Sequence, residues 1–105
     1  MSSSLFEHIP ADLPEELTQV LAAGANVRIE RILSHGQVSP PDFWYEQEET
    51  EFVVVLQGEG HIAYESGEVV RMLPGSYEVI LPFTKHRVSF TSPDEATVWL
   101  AVFYS

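Results

Sequence analysis

A run of acidic residues stands directly before an apolar segment of the chain. The run consists of Glu46, Glu48, Glu49 and Glu51, within the stretch WYEQEETEFVVVLQGEG at residues 44–60. Because side chains two positions apart in a strand share a face, a hairpin here would place Gln47 and Glu51 side by side. The face of Glu51 continues through Val53 and Val55 of the apolar run, so this carboxylate needs a cation, an arginine or a metal as its partner. We expect the other three glutamates to be solvated.

Short strands separated by turn residues are predicted for most of the chain. The predicted strands are 27–34, 43–47, 51–57, 60–65, 68–73, 76–81, 86–91 and 96–104. The segments between them are rich in Gly, Pro, Ser and Asp, as turns require. Eight short strands at near-even spacing are typical of an all-β sandwich, jelly roll or small barrel.

The segment before these strands predicts one short helix, near residues 14–23. In DLPEELTQVLAAG, Asp12 and Glu15 match a capping box, and Pro14 suits a first helical turn. The apolar residues that would share one helical face are Leu13, Leu17, Val20 and Leu21. Gly24 can end the helix, which we expect to lie on the sheet.

The composition limits the classes of function. The chain has 105 residues and suits one domain, in which an N-terminal arm and helix (1–26) precede the strands (27–105). Its formal net charge of −11 and its scattered Lys and Arg residues make nucleic acid and anionic membranes poor partners. Without cysteine, disulfides and thiolate zinc sites are excluded. Neither a membrane-spanning apolar run nor a signal peptide is apparent, so we expect a cytoplasmic location.

Two predicted strands are apolar on both faces, EFVVVLQ at 51–57 and ATVWLAVFY at 96–104. An antiparallel strand with one face in water would alternate apolar and polar residues instead. The outer faces of these strands therefore need cover. The predicted helix could cover one patch, and a second subunit could cover another, so we expect a homodimer.

The acidic run also belongs to a spaced motif that resembles one of the cupin family. Tyr45-x-Gln47-x3-Glu51-x6-Gly58 keeps the spacing of the first cupin motif, Gly-x5-His-x-His-x3,4-Glu-x6-Gly. Tyr45 and Gln47 stand in the places of the two histidines. The leading glycine of the motif is also absent, since Ser39 holds its place.

A second cupin motif, Gly-x5-Pro-x-Gly-x2-His-x3-Asn, is matched in PGSYEVILPFTKHRVSF. Gly75 and His86 are eleven residues apart, as that motif requires, whereas Pro82 is displaced by one and Phe90 stands in the place of Asn. The resemblance covers residues 27–104 and is similar to small single-domain bacterial cupins with FWY-x-Q in the first motif. It implies a double-stranded β-helix, the jelly-roll barrel of this family.

The resemblance implies a divalent metal (Mn, Fe, Zn or Ni) held in the barrel. Carried over by position, the candidate ligands are Gln47, Glu51 and His86, with Tyr45 as a weaker ligand or a group that points at the site. Loss of two imidazoles shifts such a site toward ions that prefer oxygen ligands. The alternative is a buried polar network, in which Glu51 accepts hydrogen bonds from His86 and Gln47.

A pocket for a small organic ligand is the second expectation. Trp44 and Tyr45 are candidates for its wall, with core packing as the alternative, and His35 could reach the barrel mouth. Two functions follow. One is a non-catalytic module that binds a small molecule, and the other is a metal-dependent enzyme such as an isomerase, lyase or dioxygenase. The fold alone does not choose between them.

Overall fold

The computed structural model describes residues 2–105, so Met1, the first residue of the predicted arm, lies outside the described residues. The described residues form eight β-strands and no helix. The strands are β1 Leu17–Gly24, β2 Val27–Ser34, β3 Thr50–Gln57, β4 Gly60–Tyr64, β5 Val69–Met72, β6 Tyr77–Ile80, β7 His86–Thr91 and β8 Thr97–Tyr104. Residues 2–105 contain no helix with the length and apolar character that crossing a membrane requires.

The strands form two antiparallel sheets that enclose the core. The larger sheet has the order β1-β2-β8-β3-β6, and the smaller one has the order β5-β4-β7. Alternate residues of β3 and β8 point inward, where Val53, Val55 and Trp99 pack against Ile62 and Met72 from the smaller sheet. The all-β jelly-roll expectation is confirmed by this arrangement.

The predicted N-terminal helix is wrong, because residues 17–24 form the edge strand β1. This strand pairs with β2 in register from Leu17 opposite Leu33 to Gly24 opposite Val27, with an irregularity between residues 20 and 22. A short helix is marginal in water on its own propensity. Here the pairing with β2 provides backbone hydrogen bonds along the segment, and this tertiary contact overrides the local helical pattern.

A buried arginine ties the N-terminal arm to the outer face of the larger sheet. Arg31 is 5% exposed and donates to the carbonyl oxygens of Leu5 and Glu7. Its Nε also donates to Oε1 of Gln19 on the neighbouring strand β1, at 2.8 Å. Nearby, Leu13 packs with Leu33 and Val98 in a second small core. The arm therefore covers one end of this outer face.

The remainder of the outer face is apolar. Ile29, Val102, Phe52 and Val79 are direct neighbours across β2, β8, β3 and β6, so they share one face. Tyr77 is 62% exposed on the same face, and its ring stacks on Phe52 at a centroid distance of 5.2 Å. This group of five residues is called the outer apolar face below.

The strand expected at 43–47 is also wrong as a regular element. Tyr45 makes only an isolated bridge to His86, with hydrogen bonds in both directions between their backbones at 2.7 and 3.1 Å. The backbone N–H of Phe83 then donates to the carbonyl oxygen of Gln47. The segment thus runs beside the start of β7 without forming a ladder, and this contact places Tyr45 and Gln47 near the barrel interior.

Candidate functional site

Three of the predicted residues meet at one end of the barrel. Glu51 lies in β3, one residue after the strand begins, and His86 is the first residue of β7 in the opposite sheet. Gln47 reaches the same place from the loop before β3. Glu51 is 8% exposed and His86 is 6% exposed, whereas Glu46 and Glu48 of the acidic run are exposed to solvent. The expectation of a solvated Glu49 is wrong, because this residue is half-buried and pairs with Arg28.

A single carboxylate oxygen joins the three side chains. Gln47 Nε2 donates to Glu51 Oε1 at 3.1 Å, and His86 Nε2 lies 3.4 Å from the same oxygen. On its other side, the His86 ring donates from Nδ1 to the carbonyl oxygen of Thr84 at 2.8 Å. The backbone of Thr84 therefore orients the imidazole, so that Nε2 faces Glu51.

The environment of His86 favours its charged form. Burial lowers the pKa of His86, but the hydrogen bond and the negative charge of Glu51, together with the Thr84 carbonyl, outweigh burial and raise the pKa above its ordinary value of 6.5. A protonated His86 would form a charge pair with Glu51. The geometry and the pKa direction both suit a buried polar network.

These side chains line a cavity of about 170 Å³ inside the barrel. Of the residues predicted for a site, the cavity wall includes Tyr45, Gln47, Glu51 and His86. The apolar part of the wall consists of Ile32, Val53, Val88, Trp99 and Phe103. The cavity therefore combines aromatic and aliphatic walls with a few polar groups that converge at one end.

Two residues predicted for the ligand site lie elsewhere. Trp44 does not line the cavity, and its ring lies under the guanidinium of Arg87, 5.9 Å from the ring centroid. His35 lies in the turn after β2, where Nε2 is 2.9 Å from the carbonyl oxygen of Pro93. Neither residue is brought together with Glu51 and His86.

Three polar residues of the cavity wall were not predicted from the sequence: Glu16, Thr18 and Glu30. Thr18 lies in β1, and Glu16 is the residue before that strand. Because a helix was expected in this segment, neither residue was expected in a cavity wall. Glu30 lies on the inward face of β2, where it pairs with Arg28. The alternation of β2, in which Glu30 and Ile32 share one face, was the available signal.

The carboxylates of the wall act on Tyr45, which lies at the mouth of the cavity. Burial raises the pKa of the Tyr45 hydroxyl, and the negative charges of Glu16 and Glu51 raise it further, while a hydrogen bond with Ser39 acts in the opposite direction. Burial also raises the pKa of Glu16, although Ser34 donates a hydrogen bond to its carboxylate. Glu16 is exposed as a whole residue. Its carboxylate, which accepts the hydrogen bond from Ser34, is the part that lies at the cavity rim.

The donor set fits a metal only in part. Among residues 2–105, no three His, Cys, Asp or Glu side chains are close enough to hold one ion together. Glu51 and His86 provide two strong ligands, and the Gln47 side chain is the third donor available. Its amide nitrogen already donates to Glu51 Oε1. Glu51 Oε1 therefore already has two polar partners without an ion.

The comparison with known proteins agrees with this fold. The cupin domain profile matches residues 29–103, and the chain therefore belongs to the cupin family. A Ralstonia eutropha JMP134 protein, named provisionally as a mannose-6-phosphate isomerase, has a crystal structure that is 38% identical in sequence. The structural match covers 100% of this chain and 98% of the Ralstonia protein, with a TM-score of 0.96.

More distant solved structures share the fold alone. An RmlC-like cupin from Desulfovibrio desulfuricans is 22% identical over 98% of this chain and 95% of its own, with a TM-score of 0.75. A conserved Streptococcus pyogenes protein of unknown function is 18% identical over 100% of this chain and 87% of its own, with a TM-score of 0.78. No curated protein sequence matches the chain.

Proposed function

We propose that this cupin binds a small organic molecule in its barrel cavity. The observation that supports the proposal is the wall of that cavity, in which Trp99, Phe103 and aliphatic side chains surround a few converging polar groups. Small-molecule sites in proteins have this composition, with polar groups that fix the orientation of the ligand. Most of the wall residues lie in β-strands, and Glu16, Tyr45 and Gln47 lie outside them.

The size of the cavity sets the size of the ligand. An apolar protein cavity of roughly 150 Å³ binds benzene, so a cavity of about 170 Å³ suits a molecule with a single ring or a short branched chain. The polar end formed by Gln47, Glu51 and His86 would bind one hydrogen-bonding group of such a molecule.

A metal-dependent enzyme that acts on a small metabolite is the second candidate. The observation that favours it is the orientation of His86, whose Nδ1 is bonded to the Thr84 carbonyl while Nε2 faces Glu51. Metal-binding histidines commonly have such a second partner. A divalent ion held by Gln47, Glu51 and His86 would supply Lewis-acid chemistry when bound. The partial fit of the donor set makes the binding function the better supported of the two.

The binding function is tested with benzyl alcohol, a neutral single-ring probe, by ¹H–¹⁵N NMR of the full chain. We expect shift changes at cavity residues such as Val53 and Trp99. Val88→Phe places a ring in the cavity and should abolish these changes. Val69→Phe, a matched change at an exposed position of β5 outside the cavity, should preserve them. Absence of cavity shifts in the unmodified protein, both with benzyl alcohol and with its cationic analogue benzylammonium, would contradict the proposal.

Elemental analysis distinguishes the second candidate. Protein purified without chelator should contain far less than one equivalent of Mn, Fe, Zn or Ni if the polar network needs no ion. A stoichiometric metal that is lost in Glu51→Gln would instead favour the metal-dependent enzyme.

A homodimer completes the proposal. In a monomer, Val79 and Tyr77 of the outer apolar face are in water, at 44% and 62% exposure. Contiguous apolar surface of this kind commonly marks a protein contact. A second copy of the chain, packed on this face, would cover the side of β3 and β8 that the N-terminal arm does not reach.

A further inference from the structure

We propose that the cavity selects an organic cation, a primary ammonium group on a small apolar body, and rejects anions such as carboxylates and phosphate esters. This inference rests on the proposed binding function and names the class of ligand for the same cavity. It is carried by the charges of the wall, by the free oxygen of Glu51 and by the aromatic rings around it.

Negatively charged groups outnumber positively charged groups in the cavity wall. Three carboxylates line the cavity, those of Glu16, Glu30 and Glu51, together with the imidazole of His86, and no Lys or Arg lines it among residues 2–105. Glu30 has a cationic partner in Arg28, outside the wall. Glu51 has His86 beside it. The Glu16 carboxylate is bonded only to the Ser34 hydroxyl within the described chain, so one negative charge at the rim lacks a positive neighbour.

The Glu51 carboxylate has a free acceptor inside the barrel. Its side chain is 10% exposed, and its Oε1 faces both Gln47 and His86. No described residue donates a hydrogen bond to Oε2. This atom is not fully buried, so water can reach it. Glu51 lines the cavity, and an ammonium group bound there would satisfy the second oxygen of its carboxylate with a charge-assisted hydrogen bond.

The aromatic side chains of the wall suit a cation as well. Tyr45, Trp99 and Phe103 border the cavity, and the negative face of an aromatic ring attracts a cationic group that lies within about 6 Å of the ring centre. The guanidinium of Arg28 lies 4.3 Å from the centroid of Phe103 and takes one face of that ring, so Tyr45 and Trp99 are the rings that remain for a ligand cation.

An anion would meet the opposite conditions. A phosphate group is bound in proteins by Arg, Lys or the backbone N–H groups at a helix N-terminus. The cavity wall has no Lys or Arg, and the described residues form no helix. The sugar phosphate in the provisional name of the Ralstonia relative therefore meets no Lys, Arg or helix N-terminus in this cavity. The His86 imidazole is already paired with Glu51, and the Glu16 carboxylate, which has no cationic partner among the described residues, would repel the phosphate charge.

Three probes of one shape test the inference: benzylammonium, benzyl alcohol and benzoate, with inorganic phosphate as a fourth. Each is titrated at neutral pH, with chelator present, into the full chain and followed by ¹H–¹⁵N NMR at cavity residues. We expect benzylammonium to bind about tenfold more tightly than benzyl alcohol, which corresponds to one favourable cation contact. Benzoate and phosphate should leave the cavity resonances unchanged.

A matched pair of variants assigns the effect to the rim carboxylate. Glu16→Gln should weaken the binding of benzylammonium by about fivefold, because one partly solvated charge contact is lost. The affinity for benzyl alcohol should stay the same. Glu15→Gln removes the same charge from the neighbouring exposed residue, which does not line the cavity, and should have no effect on either probe.

The outcomes separate this inference from the proposed function. If benzyl alcohol binds in the cavity as tightly as benzylammonium, or if benzoate or phosphate binds there, charge selection is wrong while small-molecule binding stands. If none of the probes shifts a cavity resonance, the binding function and the inference are both overturned.

Discussion

Nε2 of His86 lies 3.4 Å from Oε1 of Glu51, the same oxygen that accepts a hydrogen bond from Gln47. One carboxylate oxygen thus joins a loop, the larger sheet and the smaller sheet at the end of the barrel. Because Glu51 is 8% exposed, any change in this oxygen alters groups that water reaches poorly, and such groups are costly to leave unsatisfied.

Glu51→Gln replaces the negative charge with an amide of similar shape. We expect it to lower the free energy of unfolding by about 1–3 kcal/mol, the usual range when a buried polar partner is lost, with no change in metal content. Denaturant unfolding and elemental analysis measure the two effects. Glu48→Gln, at an exposed position of the same acidic run, is the control and should stay within about 0.5 kcal/mol. A silent Glu51→Gln would show that the carboxylate is solvated like its neighbours.

The protonation of His86 gives a second measurement. Burial lowers the pKa of His86, but Glu51 and the Thr84 carbonyl raise it more, so the folded protein holds this proton more tightly than the unfolded chain. The resulting stability is fully present below the unfolded value near 6.5 and is lost as the pH rises through the folded pKa.

Glu51→Gln removes the larger of the two stabilising partners of the His86 cation. We expect the NMR titration midpoint of the His86 ring to lie above 6.5 in the unmodified protein and to fall in Glu51→Gln. Glu48→Gln should leave it in place. A midpoint that does not move in Glu51→Gln would mean that the pair does not interact in solution.

Local patterns in the sequence were sufficient for most of the barrel. Apolar alternation and turn residues depend on near neighbours in the chain, and they predicted the strands from residue 27 onward, apart from 43–47. The resemblance to the cupin motifs also placed His86 beside Gln47 and Glu51, from which it is distant in the chain. Gly58, in the left-handed region at φ 85° before β4, marks a turn where an added Cβ would overlap Thr97.

The edge strand β1 could not be predicted in the same way, since its partner decides its structure. Residues 17–24 carry apolar side chains at helical spacing, yet they pair with β2, and Gln19 accepts from the buried guanidinium of Arg31. The error extended to the cavity, because Glu16 and Thr18 reach its wall only when this segment is a strand. The direction of the Trp44 side chain could not be predicted either. Its ring lies under Arg87 and away from the cavity.

The outer apolar face gives a prediction about assembly. Val79 is 44% exposed, and it is a direct neighbour of Phe52 on this face. We expect light scattering at high micromolar concentration to show a dimer, and Val79→Lys to shift it to a monomer, because a charged ammonium group opposes burial in a contact. Val69→Lys changes an exposed valine of the other sheet and should leave the dimer intact. A monomeric unmodified protein would count against the homodimer.

The buried guanidinium of Arg31 provides the last prediction, on the N-terminal arm. It donates to the carbonyl oxygens of Leu5 and Glu7 and to Gln19, so it links the arm to β1 and β2. Arg31→Met keeps a long side chain but removes the donors, and we expect a loss of about 1.5–3 kcal/mol, the range for a hydrogen bond to a charged group. The arm should then be cleaved faster in limited proteolysis. Arg71→Met removes an exposed guanidinium of β5 and should leave the cleavage rate of the arm unchanged. Equal cleavage in Arg31→Met and the unmodified protein would show that the apolar contacts of Leu13 alone hold the arm in place.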